Sequence, residues 1–376
     1  QGMGKSLLNE YSRLKMGCIV YTSETELKHV INELFYSHND YLILLKNGER
    51  FVMGMKEVSI EHEPSSEKKF ELTKGGTYII TGGLGGIGLV LAEYFAELES
   101  NIRLVLMSRR ELLPQEEWEK ETDVLYKRLC ELNSKVSELI YCSCDVSDEK
   151  SVEKHVESLG CVTGIVHAAG VAGGGFIIKK DWDDYLKVLK PKMHGTLNML
   201  NLSRKYKPEF IVLFSSYSTI LPVAGQSDYI SANSFIDAMV VQKDSELPVK
   251  VINWSGWKEC GMAYDNGGEM IRTPVTFLSN AEGVELFAKA MVLEERQVLI
   301  GKINCEVLEE VADDYSKVIR FPDYVTEKIK NGHGNVKNQR EIYHVTITGK
   351  DAPLTETETK VSQAWAKVLG LKEIHY

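Results

Sequence analysis

Four residues stand at spacings that could do chemistry together: Lys192, Ser216, Tyr229 and Asn233. Tyr229 follows Ser216 by 13 residues, Asn233 follows Tyr229 by four, and Lys192 precedes Ser216 by 24. A phenol titrates near pH ~10 on its own, and an ammonium beside it favours the phenolate and lowers that value. A serine hydroxyl can donate to an oxygen on which charge develops. The set therefore suits protonation of a carbonyl oxygen. Taken singly, each residue has a simpler reading: the Tyr packs in a core, the Ser caps a strand end, the Lys faces solvent.

A second group suits an anion. The apolar run Thr77–Thr81 leads into Gly82-Gly83-Leu84-Gly85-Gly86-Ile87-Gly88, and a helix over Ile87–Leu98 follows. In a strand–turn–helix setting these glycines permit a tight turn and let backbone N–H groups approach a pyrophosphate at the helix N-terminus. An NAD site would place Asp or Glu about 20 residues on. Here Ser108 and Arg109 occupy that place, Arg109 lying 21 positions after Gly88. A guanidinium and a hydroxyl bind a 2′-phosphate that a carboxylate would repel, which favours NADP. Arg110 is the alternative partner, or surface charge. Asp145 and Val146 end the third strand, where Asp145 could accept from an adenine amino group or cap the next helix. Ala168, Ala169 and Gly170 end the fourth, small enough for a cofactor to pass closely; His167 before them reads as structural.

Strands alternating with helices must position these groups. Further apolar runs lie at 103–107, 139–143, 164–167, 210–214 and 249–253. Near-continuous apolar strands separated by helices predict a parallel sheet covered on both faces, a doubly wound, Rossmann-like α/β domain over about Gly75–Ile303. Residues 1–70 read differently, as β-α-β-β with no glycine loop, Asn47-Gly48 marking a hairpin. Linkers are expected at 61–69 and 331–335. Near the end, Thr355 and Glu358 fit a capping box, followed by a stripe of Val361, Trp365, Val368 and Leu369 and by Gly370 as a C-cap.

Composition narrows the function classes. The 376 residues carry 44 basic and 54 acidic side chains, a net charge of −10, without the basic balance expected of a nucleic-acid binder. No stretch of about 18 consecutive apolar residues exists, which excludes a transmembrane helix. Seven cysteines without CxxC pairs or zinc spacing predict reduced thiols, a cytoplasmic setting and no metal site. No secretory signal is visible, and a first residue of Gln1 predicts a piece of something longer.

The glycine turn, the Ser216/Tyr229 pair and Asn253-Trp-Ser-Gly-Trp257 resemble the short-chain dehydrogenase/reductase superfamily. More narrowly the chain resembles ketoreductase domains of modular type I polyketide synthases. Most single-domain members carry the Lys four residues after the Tyr; here that position is Asn233 and the Lys is Lys192 on the earlier helix, the arrangement of the modular ketoreductases. The resemblance implies that Tyr229 is the general acid, that Ser216 donates to the same carbonyl oxygen, that Lys192 lowers the phenol's pKa and holds the nicotinamide ribose, and that Asn233 orients Lys192 and a relay water. It implies NADPH as cofactor, and as partners an acyl carrier protein bearing a phosphopantetheine-linked ketoacyl chain and other domains of the same synthase. Residues 1–70 resemble part of the cofactor-free structural subdomain, 71–310 the catalytic subdomain, 311–353 a linker and 354–376 the first helix of a carrier domain. The expected reaction is reduction of a β-ketoacyl thioester. Alternatives are a non-catalytic scaffold and a free-standing reductase of small ketones. A lid is expected over Cys260–Pro274, with Met262 a candidate contact for the acyl chain. D-producing members carry Leu-Asp-Asp after the His-Ala-Ala-Gly segment; Val171-Ala172-Gly173-Gly174-Gly175 stands there instead, which implies the A-type, L-configured alcohol, although Leu221 replaces a Trp frequent in that class.

Overall fold

Runs of Ile, Val and Leu four to seven residues long build a seven-stranded parallel sheet, and the helices between them cover both its faces. The computed structural model describes residues 1–11, 13–36, 40–58, 68–241, 247–267, 273–315, 318–327, 346–348, 354–369 and 373–375. The N-terminal part contains α1 (Gly2–Glu10), β1 (Cys18–Tyr21), α2 (Leu27–Phe35), β2 (Leu42–Lys46) and β3 (Glu49–Val52). β1 and β2 run parallel, and β2 and β3 form the expected hairpin. Its turn residues Asn47 and Gly48 have φ of 54° and 78°, the mirror-image turn that matches strand twist. Helix α1 has no counterpart in the sequence reading.

The central series is β4 (Thr77–Thr81), α3 (Gly86–Leu98), β5 (Arg103–Ser108), α4 (Val124–Lys135), β6 (Glu138–Ser143), α5 (Glu149–Glu157), β7 (Gly164–His167), α6 (Trp182–Tyr206), β8 (Phe210–Ser216), α7 (Ser227–Val241) and β9 (Val249–Trp254). It continues through α8 (Met262–Asp265), β10 (Val275–Thr276), α9 (Asn280–Val292), β11 (Gln297–Ile300), β12 (Lys302–Ile303) and α10 (Cys305–Tyr315). The sheet order is β11-β9-β8-β7-β4-β5-β6, so the strand order reverses between β4 and β7, the successive strands being laid outward on opposite sides of that point. Such a switch point opens a crevice at the carboxyl ends of the strands.

Alternation along the strands separates two cores. Tyr78, Ile80, Leu104, Leu106, Val166, Val212 and Ile252 belong to one. Ile79, Val105, Ile165, Ile211, Leu213 and Val251 belong to the other. All thirteen are at most 0% exposed, and each such side chain contributes roughly 1.5–3 kcal/mol of burial. The strand therefore cannot slip register without moving a whole face into the wrong layer.

Beyond the sheet, α11 (Glu356–Leu369) begins with the expected capping box: Thr355 N–H donates to Glu358 at 2.8 Å and Glu358 N–H to Thr355 Oγ1 at 3.2 Å. Residues 61–67, 331–335 and Gly370, and the side chains of Trp365, Val368 and Leu369, lie outside what is described. No helix among the described residues is long and apolar enough to cross a membrane.

Candidate active site

The crevice at the switch point is a cleft of about 880 Å³, within the size range of sites for small molecules and cofactors. Its floor is the glycine turn. Gly82 has φ +67°, and a Cβ there would lie 2.9 Å from Ala169 N, so the turn after β4 and the segment after β7 touch only because neither side carries bulk. A Cβ at Gly88 would stand 2.3 Å from Gly82 O, which is what lets α3 start so close to the strand. Gly85 is the N-cap of α3 and provides no side chain to occupy the first N–H groups. That leaves them for an anion. Gly82, Gly85, Gly86, Ile87 and Gly88 line the cleft. Gly83 and Leu84 do not: Gly83 backs onto Leu106, and Leu84 packs on the core.

At the end of β5, Ser108 and Arg109 line the cleft, whereas Arg110 points to Asp123 at 3.7 Å. Asp145 and Val146 also line it. Asp145 Oδ1 accepts the N–H and hydroxyl of Ser147 at 2.9 and 2.7 Å, while Asp148 is the actual N-cap of α5. Burial acts to raise the Asp145 pKa, but these bonds and the Arg109 and Lys190 cations bring it below the ordinary carboxylate value. Ala168, Ala169 and Gly170 form the opposite wall. The cradle at Gly82–Gly88, the uncapped helix start and the Arg109 cation together fit a dinucleotide bearing phosphate on its ribose.

The four residues singled out by their spacing come from three elements. Ser216 ends β8, Tyr229 and Asn233 share a face of α7, and Lys192 lies on α6; Ser216, Tyr229 and Lys192 line the cleft. Lys192 is 3% exposed and its Nζ donates to Phe214 O at 2.5 Å. Burial pushes its pKa down to about 8, against a raising influence from Asp237. Burial holds the Tyr229 phenol above its ordinary value, and hydrogen bonds with the Ser216 and Asn233 side chains oppose that. The lowering by Lys192 expected from the sequence is not found, because that ammonium is turned to the Phe214 carbonyl. Asn233 Nδ2 donates to Tyr229 O at 2.9 Å; its Oδ1 is buried and has no partner among the described residues, so it offers an acceptor to a water.

His167 is structural, as read. It is 0% exposed, with Nδ1 2.7 Å from Thr81 Oγ1 and Nε2 3.1 Å from Pro191 O, so it fastens the strand end to the turn of α6 before Lys192. Met262 lines the cleft, on the short helix α8 within the expected lid, of which 268–272 lie outside what is described. Sequence reasoning missed a buried layer behind the site. Asn253 Nδ2 reaches Ser215 Oγ and Thr219 Oγ1 at 3.0 Å each and Asp237 Oδ1 at 3.1 Å, and its Oδ1 accepts from Gln297 at 2.9 Å. The signals for it are Asn253 at the head of the Asn253-Trp-Ser-Gly-Trp257 segment and Asp237 four residues beyond Asn233.

Residues 76–259 match the family model described as KR domain. Polyketide synthase PksL of Bacillus subtilis (strain 168) is 29% identical over 317 residues, 80% of this chain and 7% of that protein. The chain thus spans less than a tenth of the length of this curated relative. A ketoreductase domain from the bacillaene assembly line is 28% identical with a TM-score of 0.67, covering 82% of this chain and 75% of its own. The first ketoreductase of the tylosin PKS, 20% identical, shares the fold at a TM-score of 0.72 over 88% of this chain and 70% of its own.

Proposed function

The chain belongs to the KR-domain family, the ketoreductases of polyketide synthases, and we propose that it reduces the keto group of a carrier-bound ketoacyl thioester, most simply a β-ketoacyl one, to the A-type, L-configured alcohol at the expense of NADPH. The observation that carries this reading is the meeting of Ser216, Tyr229 and Lys192 in one cleft with the glycine turn and Arg109. When bound, a reduced nicotinamide supplies hydride to the carbonyl carbon. Tyr229 Oη delivers a proton to the carbonyl oxygen, and Ser216 Oγ donates a hydrogen bond to it where negative charge develops. Lys192 keeps a desolvated cation beside the cleft that holds a ribose hydroxyl and favours proton loss from Tyr229 when turned towards it. Asn233 Oδ1 holds a water through which that proton is replaced. Ser108 and Arg109 hold the 2′-phosphate.

In the same reading, residues 71–310 are the catalytic subdomain, 1–70 part of a structural subdomain and 354–376 the start of an acyl carrier domain, with the capping box of α11 in support. The carrier's phosphopantetheine arm would bring the ketoacyl group, and other domains of the same synthase would supply and remove it.

Incubating the chain with NADPH and a β-ketoacyl thioester, and following NADPH oxidation, tests the reading. Tyr229→Phe should bind NADPH as the wild type does and lose most turnover. Retention of more than about a tenth of the rate would put its share below roughly 1.4 kcal/mol, too little for the principal acid.

A further inference from the structure

Glu10, the last residue of α1, lies outside the sheet, yet its carboxylate holds two loops of the cleft. Oε2 accepts the Ile177 N–H at 2.8 Å, and Oε1 accepts the Gly225 N–H at 3.0 Å and the Ser6 hydroxyl at 3.1 Å. Ile177 opens the 3₁₀ turn between the glycine loop, residues 171–175, and α6 with Lys192. Gly225 lies in the loop that enters α7 with Tyr229. The two loops abut, a Cβ at Gly225 falling 3.8 Å from Gly175 C. The remainder of α1 grips the second loop as well: Lys5 Nζ donates to Thr219 O at 2.5 Å and Asn9 Nδ2 to Pro222 O at 2.7 Å.

A buried ion pair repeats the tie beneath. Lys180 and Asp228 meet at 2.6 Å with side chains 4% and 3% exposed, and Asp228 also accepts the Tyr229 N–H at 2.8 Å. The glycine turn and Arg109 occupy one half of the cleft. Gly173 from the first loop and Val223 and Gln226 from the second wall the half that contains Tyr229, where the ketone must enter.

We propose that Glu10 is a specificity-determining positioning residue, which fixes the gap between the glycine loop and the loop before Tyr229 and so the side from which the acyl chain enters. This rests on the reading of the chain as a ketoreductase. A carboxylate suits the task because both its oxygens accept, whereas an amide at the same place turns one N–H donor against another. Glu10→Gln therefore breaks at least one tie. Ile177→Pro deletes only the other partner: it begins a helical turn, where proline fits, and Phe176 before it already has the extended φ −61°, ψ 143° that proline requires.

Amide exchange by mass spectrometry and steady-state kinetics on both variants form the test. In Glu10→Gln, segments around 177 and 225 should exchange about tenfold faster while β4 and α3 are unchanged. In both variants KM for the thioester should rise several-fold and the enantiomeric ratio of the alcohol should fall, with KM for NADPH within about twofold of wild type. A residue that served stability alone would lower the melting temperature and leave the enantiomeric ratio untouched. Exchange like the wild type, or an unchanged ratio in both variants, overturns the role of Glu10. A wild type that oxidises no NADPH with any thioester, while exchange responds as expected, overturns the ketoreductase reading and leaves the tie standing.

Discussion

Arg109 and Arg110 are adjacent in sequence and opposite in circumstance. Arg110 is spent on Asp123 across 3.7 Å, whereas Arg109 lines the cleft and makes no ion pair among the described residues, its nearest acidic influence being felt at Asp145. Of the two arginines, the one placed to meet a 2′-phosphate in the proposed reading is therefore Arg109. Loss of a hydrogen-bonded charge pair is worth on the order of 1.5–3 kcal/mol, so Arg109→Ala should raise KM for NADPH by roughly ten- to a hundredfold and barely change KM for NADH, which lacks that phosphate. Arg110→Ala should alter neither. Parallel titrations of the two variants with both nucleotides check the assignment, and equal losses for NADPH and NADH would remove it. At Tyr229 and Lys192 the residue types were readable but their mutual influence was not. Burial holds the phenol up and the ammonium down, to about 8 for Lys192, and neither burial nor the Phe214 carbonyl is visible in spacing.

The elements divide by where their stability comes from. Six of the seven central strands are built on near-continuous apolar runs and are legible as such. β11 was not: it follows Glu294-Glu295-Arg296, and three of its four residues are only half-buried at the sheet edge. Helix α1 was missed because Gly2 and Gly4 are poor helix formers. They are there for contact instead, a Cβ at Gly2 falling 2.5 Å from Ser231 Cα and one at Gly4 2.4 Å from the Tyr41 hydroxyl. A helix held by its neighbours leaves no local trace. The glycine loop at 171–175 shows the same dependence. A Cβ at Gly173 would stand 2.4 Å from Asp228 Oδ1, so glycine is what lets the loop lie against that carboxylate, and Lys180 engages the carboxylate in turn. The loop itself carries no acid towards the cleft. Leu221, where a Trp is frequent among A-type members, is 2% exposed and packs with Ile220, Val275 and Leu308. In the proposed reading, a glycine loop that presents no carboxylate leaves that side of the cleft open, and the acyl arm would enter from the opposite side. Chiral chromatography of the alcohol from a simple β-ketoacyl thioester should return mainly the L product. A predominantly D product would mean that the loop does not set the side of entry.

For the molecule as a whole, the device most exposed to pH is the histidine at its centre. The Pro191 carbonyl can only accept, so His167 donates to it from Nε2, and in the neutral ring Nδ1 accepts the Thr81 hydroxyl proton while Thr81 Oγ1 accepts the Ala169 N–H at 3.2 Å. The ring is thus held neutral between β4 and α6, and burial, reinforced by the Lys192 charge, pushes its pKa down to about 3. An unfolded histidine titrates near ~6.5. The folded value is the lower one, so the contribution to stability is complete above the unfolded pKa and is lost as pH falls, because the unfolded chain takes a proton that the native ring refuses. The loss reaches about 1.4 kcal/mol per pH unit and amounts to about 2 kcal/mol by pH ~5. Asp237 acts in the opposite sense, since burial raises its pKa and protonation relieves it. A bare pH profile would therefore mix the two, and the comparison has to be made against a variant that keeps Asp237. His167→Gln serves, because its carbonyl can accept from Thr81 and its amide can donate to Pro191 without titrating. Urea unfolding at pH ~7.5 and ~5 should find the wild type losing about 2 kcal/mol more than His167→Gln over that interval. Identical losses would mean that the ring takes a proton in the folded state, and that the link from β4 to the Lys192 helix is not the neutral one described.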